Sequence, residues 1–145
     1  MKHEQFASLV LQEAKRLWSE YSQRPEDAFG KGHAAMALID TQGKFYGEIY
    51  GPDKAQAKGF AGIAWRKVNQ VWLTGHATGD FERAVFAGQL DEGDFSINKP
   101  DYIGWEGGVP FEADGQWSGA FSGCRGTTDV AIVHEAVAAA KQLNR

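Results

Sequence analysis

The sequence predicts an α+β fold in which helices cover both faces of an antiparallel sheet. Three observations carry this. Two short polar turns, Asp40-Thr41-Gln42-Gly43 and Asp114-Gly115, each separate a pair of strand-like segments and read as hairpins. The segment Ala34–Ile39 is apolar on both of its faces, so it needs cover on each side. Segments with apolar residues at helical spacing stand at the beginning, middle and end of the chain. With 145 residues, 43% of them hydrophobic, the chain is one domain, 1–145, large enough to bury a core.

Each element has its own signal. Glu4 to Tyr21 is a helix, because Phe6, Val10, Ala14, Leu17 and Tyr21 share a face opposite charged residues. Arg24-Pro25 through Gly32 is a loop punctuated by proline and glycine. Ala34–Ile39 and Lys44–Tyr50 form the first hairpin. Pro52 to about Gly75 is the second helix, with Ala57, Phe60, Ala61, Ala64, Val68, Val71 and Trp72 in a stripe whose first half is small. A shorter helix follows at Phe81–Ala87. Gly88–Trp105 has weak periodicity and reads as a long loop, with a short strand placed near Tyr102-Ile103. Val109–Ala113 and Gln116–Gly123 make the second hairpin. The last helix runs from about Thr128 to Leu143, with Val130, Val133, Val137 and Ala140 inward, Thr127 or Thr128 as N-cap and Asp129 in the first turn.

The stretch from Trp105 to Gly126, WEGGVPFEADGQWSGAFSGCRG, is unusually rich in glycine. Such density costs backbone entropy and belongs where the chain bends sharply or where something approaches it closely. Gly107-Gly108 reads as the bend into a strand. Gly119, Ala120 and Gly123 leave a strand nearly bare on part of one face. A helix, a second subunit or a flat ligand fits there, and a closely packed helix is the simplest occupant.

Composition excludes several classes. A net charge of −4 without any Lys/Arg run argues against a nucleic-acid surface. The single cysteine excludes an internal disulfide and a CxxC site. No segment approaches membrane-spanning length. The opening MKHEQFASLVLQEAKRLW is charged and amphipathic, unlike a signal peptide, so a cytoplasmic location is expected. No dinucleotide or phosphate-loop fingerprint is present, which disfavours a nucleotide cofactor.

The order of elements and motifs resembles the GlcG/HbpS family, the haem-binding or haem-degrading domain family that includes the C-terminal domain of PduO. Ala37-Leu38-Ile39-Asp40-Thr41-Gln42-Gly43 is similar to the family's strand ending in Asp-x-x-Gly. In KVNQVWLTGHAT, Lys67, Gly75 and Thr78 match the family's second-helix segment, while Ala77 replaces a proline. Gly107-Gly108-Val109-Pro110, the pair Asp114-Gly115 and Gly119-Ala120, and Gly126-Thr127 resemble its remaining motifs in order. The resemblance covers nearly the whole chain. It implies a profilin-like, three-layer α/β/α sandwich around an antiparallel sheet of about five strands. It also implies oligomers and, for some members, binding of haem or a related tetrapyrrole.

Several side chains stand out against this frame. Lys67 lies on the apolar stripe of the second helix, three residues after Ala64 and four before Val71. Its ammonium either reaches the rim while the stem packs, or holds an anionic group at a pocket edge. Asp40 reads as a turn former, with ion pairing to Lys67 as the alternative. The four histidines, at 3, 33, 76 and 134, have no HxH or HxxxH spacing, so a built-in metal site is not expected. His76 reads as a helix-end histidine, and with the resemblance in view His76, Thr78 or His3 is a candidate axial ligand to haem iron. His33 and His134 read as structural. Cys124 and Arg125 precede the last helix, where a thiol pKa can fall and an anion can bind. Trp65, Trp72, Trp105 and Trp117 suit a core, a subunit contact or a flat ligand. Asp91, Glu92 and Asp94 form a solvated loop cluster.

These residues define the leading expectation: an oligomeric protein that binds a small molecule or tetrapyrrole. Its pocket would lie between the glycine-rich strand, the second helix and the Gly88–Gly108 loop. Lys67, His76, Thr78, Trp105, Gly107, Gly108 and Arg125 are the candidate ligand residues, and haem is the candidate cofactor through the resemblance alone. Phe95, Tyr102 and Trp105 are expected at a homo-oligomer contact. A catabolic enzyme using Lys67, Arg125 and Cys124 on an anionic substrate is the rival, and an accessory or scaffold subunit without ligand is the third reading. No catalytic residue is assigned.

Overall fold

Strand β1 (Ala34–Ile39) is buried along its whole length, as its two apolar faces require. The computed structural model describes residues 1–98 and 101–144. With β2 (Phe45–Tyr50), β3 (Gly108–Glu112) and β4 (Gln116–Ser122), β1 forms an antiparallel sheet of order β2-β1-β4-β3. Alternation along β1 divides the core. Met36 and Leu38 face α1 (His3–Tyr21) and α4 (Gly126–Leu143), which pack on each other. Ala35, Ala37 and Ile39 face α2 (Lys54–Thr74), meeting Ala64 and Val68. The result is the expected three-layer α/β/α sandwich.

Local chemistry explains the boundaries. The Asp53 carboxylate caps α2 by accepting from the backbone N–H groups of Ala55 and Gln56. The N-cap position of α4 is Arg125 and not Thr127 or Thr128, and a distant carboxylate fixes that end of the helix. Asp27 accepts from Arg125 N at 2.9 Å and from Thr128 Oγ1 at 3.0 Å. α3 (Thr78–Phe86) starts three residues earlier than its apolar pattern suggests. The wholly buried Phe81 draws Phe95 and Tyr102 edge-on against it. Tyr102 is therefore buried and Phe95 half-buried within the chain.

Among the described residues the sheet has four strands, not about five. Ile103 does not join a strand, because a side chain satisfies its backbone. Gln70 donates from Nε2 to Ile103 O at 2.9 Å and accepts from Ile103 N at Oε1 at 2.7 Å. The amide stands in for a strand neighbour and pins the long loop to α2. That loop also contains a 3-10 turn, Glu92–Phe95, and two of its residues, Lys99 and Pro100, lie outside the described residues.

The bare face of β4 is filled by a helix. A Cβ added at Gly119 would sit 3.0 Å from Val133 Cγ1 of α4. On the opposite face α2 covers β2 only in part, through the Trp65 ring packed 4.5 Å from that of Phe45. Phe45, Ile49 and Trp65 are left exposed around an apolar groove of about 640 Å³. No helix among the described residues is long and apolar enough to cross a membrane.

Candidate functional site

The stripe of α2 turns Lys67 inward, and the first turn of α4 turns Asp129 to meet it. Lys67 is 2% exposed and Asp129 3% exposed. Lys67 Nζ donates to Phe121 O at 2.9 Å and to Asp129 Oδ2 at 3.3 Å. Asp129 Oδ1 accepts from Cys124 N at 2.9 Å. Burial lowers the Lys67 ammonium and raises the Asp129 carboxyl, and in each case the opposite charge of the partner opposes the shift. The pair joins helices from opposite faces of the sheet.

Gly107 lies across this pair with φ +124, and a Cβ there would stand 2.5 Å from Lys67 Nζ. A side chain is excluded by both the left-handed backbone and the contact. The glycine-rich bend therefore does admit a close approach, but what approaches is the protein's own ammonium.

The pair forms part of the floor of a cavity of about 490 Å³. Phe29, Phe60 and Ile63 supply apolar wall. Gly104, Trp105 and Glu106 come from the long loop, Ser122, Gly123 and Cys124 from the end of β4, and Arg83 from α3. This is the place between the glycine-rich strand, α2 and the loop that the sequence suggests. Trp105 is 64% exposed at its edge. Its carbonyl accepts from Thr78 Oγ1 at 2.5 Å, so the tryptophan hangs from a fixed backbone. Burial, and then the carboxylates of Asp129 and Asp27, push the Cys124 thiol up to about 12. The helix N-terminus does not lower it, and Cys124 is protonated at neutral pH.

The candidate residues fall into three groups. Lys67 and Trp105 line the cavity. Thr78, Gly107 and Gly108 lie behind it, with Thr78 anchoring the loop and the two glycines lining a smaller space of about 170 Å³ beside Arg83, Glu106 and His134. Arg125 and His76 do not join the cavity lining. The Arg125 guanidinium pairs with Asp27 at 3.2 Å and lies near Glu26, and the His76 ring packs against Phe81 and Phe95. Lys67, Arg125 and Cys124 are thus not gathered around one substrate.

Asp40 is not the partner of Lys67. It closes its own turn, accepting from Gln42 N at 2.8 Å, Lys44 N at 2.9 Å and Tyr46 OH at 2.9 Å. His3 Nδ1 stands 3.3 Å from the same carboxylate, with its ring edge-on to Trp117 on the α1 side of the sheet. His33 Nδ1 lies 3.2 Å from Gly30 O, and its Nε2 accepts from Asp53 N at 3.0 Å, a structural role. Among the described residues, no group of three or more His, Cys, Asp or Glu is placed to hold a metal ion.

Sequence reasoning missed Asp129 as the partner of Lys67 and Phe29 and Arg83 as lining of the same cavity, and placed Phe60 only on the stripe of α2. Only Asp129 had a clear signal. It lies three and four residues before Ile132 and Val133, so it is a charge on an apolar stripe, as Lys67 is. Two opposite charges on two buried stripes predict a pair.

No family model and no curated protein sequence matches the chain. Solved structures do. A double mutant of Streptomyces reticuli HbpS is 18% identical with a TM-score of 0.62, covering 92% of this chain and 82% of that one. Klebsiella pneumoniae protein ORFY is 17% identical with a TM-score of 0.64, covering 91% and 88%. A PduOC:haem complex is 20% identical with a TM-score of 0.61, covering 90% and 91%. The chain thus has the fold of HbpS, ORFY and PduOC, the fold implied by its sequence resemblance to the GlcG/HbpS family.

Proposed function

We propose that this protein binds a flat tetrapyrrole, haem or a relative of it, in the cavity beside Lys67, and does so as a homo-oligomer. The observation that carries the reading is the cavity itself. Its volume of about 490 Å³ lies in the range of small-molecule sites. Phe29, Phe60, Ile63 and Trp105 offer apolar and aromatic surface to a planar ring. The guanidinium of Arg83 offers a planar partner to a carboxylate. The similarity in fold to a PduOC:haem complex supports the ligand class. The groove at Phe45, Ile49 and Trp65 supports self-association, because a second copy would cover it.

The walls fit the macrocycle, and the donor set does not fit its iron. Lys67 with Asp129 supplies a neutral floor, Arg83 a carboxylate partner and Trp105 an exposed aromatic edge. Titration of the purified protein with haemin, followed at the Soret band, tests the reading. A saturable change is expected, weakened about tenfold by Trp105→Ala. A titration indistinguishable from that of a non-binding control protein overturns it.

A further inference from the structure

Haem iron in proteins is held by histidine, cysteine thiolate, methionine or tyrosine. Among the described residues, none of these faces the large cavity in a form that binds iron. His3 is engaged with Asp40 and Trp117, His33 with Gly30 and Asp53, and His76 with Phe81 and Phe95. His134 lines the smaller space and not this one. The sulfur that lines the cavity, Cys124, is buried, and the carboxylates of Asp129 and Asp27 near it oppose the thiolate that iron would need. The amine of Lys67 donates to Phe121 O and Asp129. Aromatic and aliphatic wall, by contrast, is present at Phe29, Phe60, Ile63 and Trp105, and Arg83 stands at the same wall with its exposed guanidinium paired to the exposed Asp80.

Resting on the tetrapyrrole reading, we infer that this cavity recognises a porphyrin by its flat face and its carboxylate edge, without coordinating a metal. The ligand class is a planar, carboxylate-bearing macrocycle, and the metal-free ring binds as well as the iron-loaded one. Contact with a π-face does not depend on what sits at the ring centre. A guanidinium reads a carboxylate in the same way in both cases.

Parallel titrations with haemin and metal-free protoporphyrin IX, read by quenching of tryptophan emission, test this. The two dissociation constants should agree within about threefold. Both should weaken about tenfold in Phe60→Ala and several-fold in Arg83→Gln. The haemin complex should keep the same visible spectrum in His3→Ala, His76→Ala and His134→Ala. Haemin binding more than about tenfold tighter than the metal-free ring overturns the inference, as does a spectrum that changes on substituting one histidine. Either result leaves the tetrapyrrole reading intact. Saturable binding of neither porphyrin overturns both.

Discussion

Lys67 carries the sharpest residue-scale prediction. Lys67→Met keeps the apolar stem and strands the Asp129 carboxyl among Cys124, Gly107 and Phe121. Breaking a buried pair by removing one partner costs about 3 kcal/mol or more. Burial already raises Asp129 to about 7, against the opposing pull of Lys67. A carboxyl raised in the folded state binds its proton more tightly folded than unfolded. The stability it contributes is full below the ordinary carboxylate range and is lost as pH rises through about 7. Without Lys67 that window widens upward, so the variant should lose more stability at about pH 8 than at about pH 5. Denaturant midpoints at the two pH values check it, and equal losses at both would mean that Asp129 is not the stranded group. Adding Asp129→Asn should restore most of the loss. Lys67 was legible because a charge on an apolar stripe breaks a pattern. Asp129 breaks the stripe of α4 in the same way, but its place in the first turn has an ordinary explanation in the helix dipole, and that explanation hid the pair.

At the scale of elements, both hairpins and the three long helices were legible, since period-2 and period-3.6 patterns survive wherever an element is half-buried. The long loop after α3 was not. Its order comes from single side-chain contacts, and these leave no period to read. Gln70 looks like any polar residue on a helix, yet it bonds both backbone groups of Ile103. Thr78 does the same for the carbonyl of Trp105. Gln70→Ala should leave two buried backbone groups without partners, at about 1–3 kcal/mol each where water cannot reach them. The loss should be local. Amide hydrogen exchange should accelerate at Ile103 and its neighbours while β1 stays protected. Trp105 lies two residues beyond Ile103 on the same segment, so porphyrin affinity should fall with it. Unchanged exchange around Ile103 would show that Phe81 and Tyr102 hold the loop unaided.

For the whole molecule, the layer arrangement followed from an apolar-on-both-faces strand and small residues on α2. The exposed surface did not follow. The aromatics of the loop looked like a contact surface from sequence, but Tyr102 and Phe95 pack on Phe81. The unsatisfied apolar surface lies over β2 instead, at Phe45, Ile49 and Trp65, because α2 reaches the edge strand only through Trp65 and leaves it partly uncovered. Light scattering should therefore give a mass of at least a dimer. Trp65→Glu should lower it toward the monomer, and Trp105→Ala should not. A stable monomer of the unaltered chain would leave the groove as a solvent-exposed face.

The sheet order β2-β1-β4-β3 has a consequence for synthesis. A ribosome releases β1 and α2 well before β4 and α4. Until then the nascent chain carries β1 with one edge unpaired, a template for wrong pairing. Lys67 meanwhile waits for Phe121 and Asp129, the latter 62 residues further on. The first half of the chain cannot settle into its native form by itself. It closes only when the last helix arrives and brings its aspartate beneath the Gly107 strap.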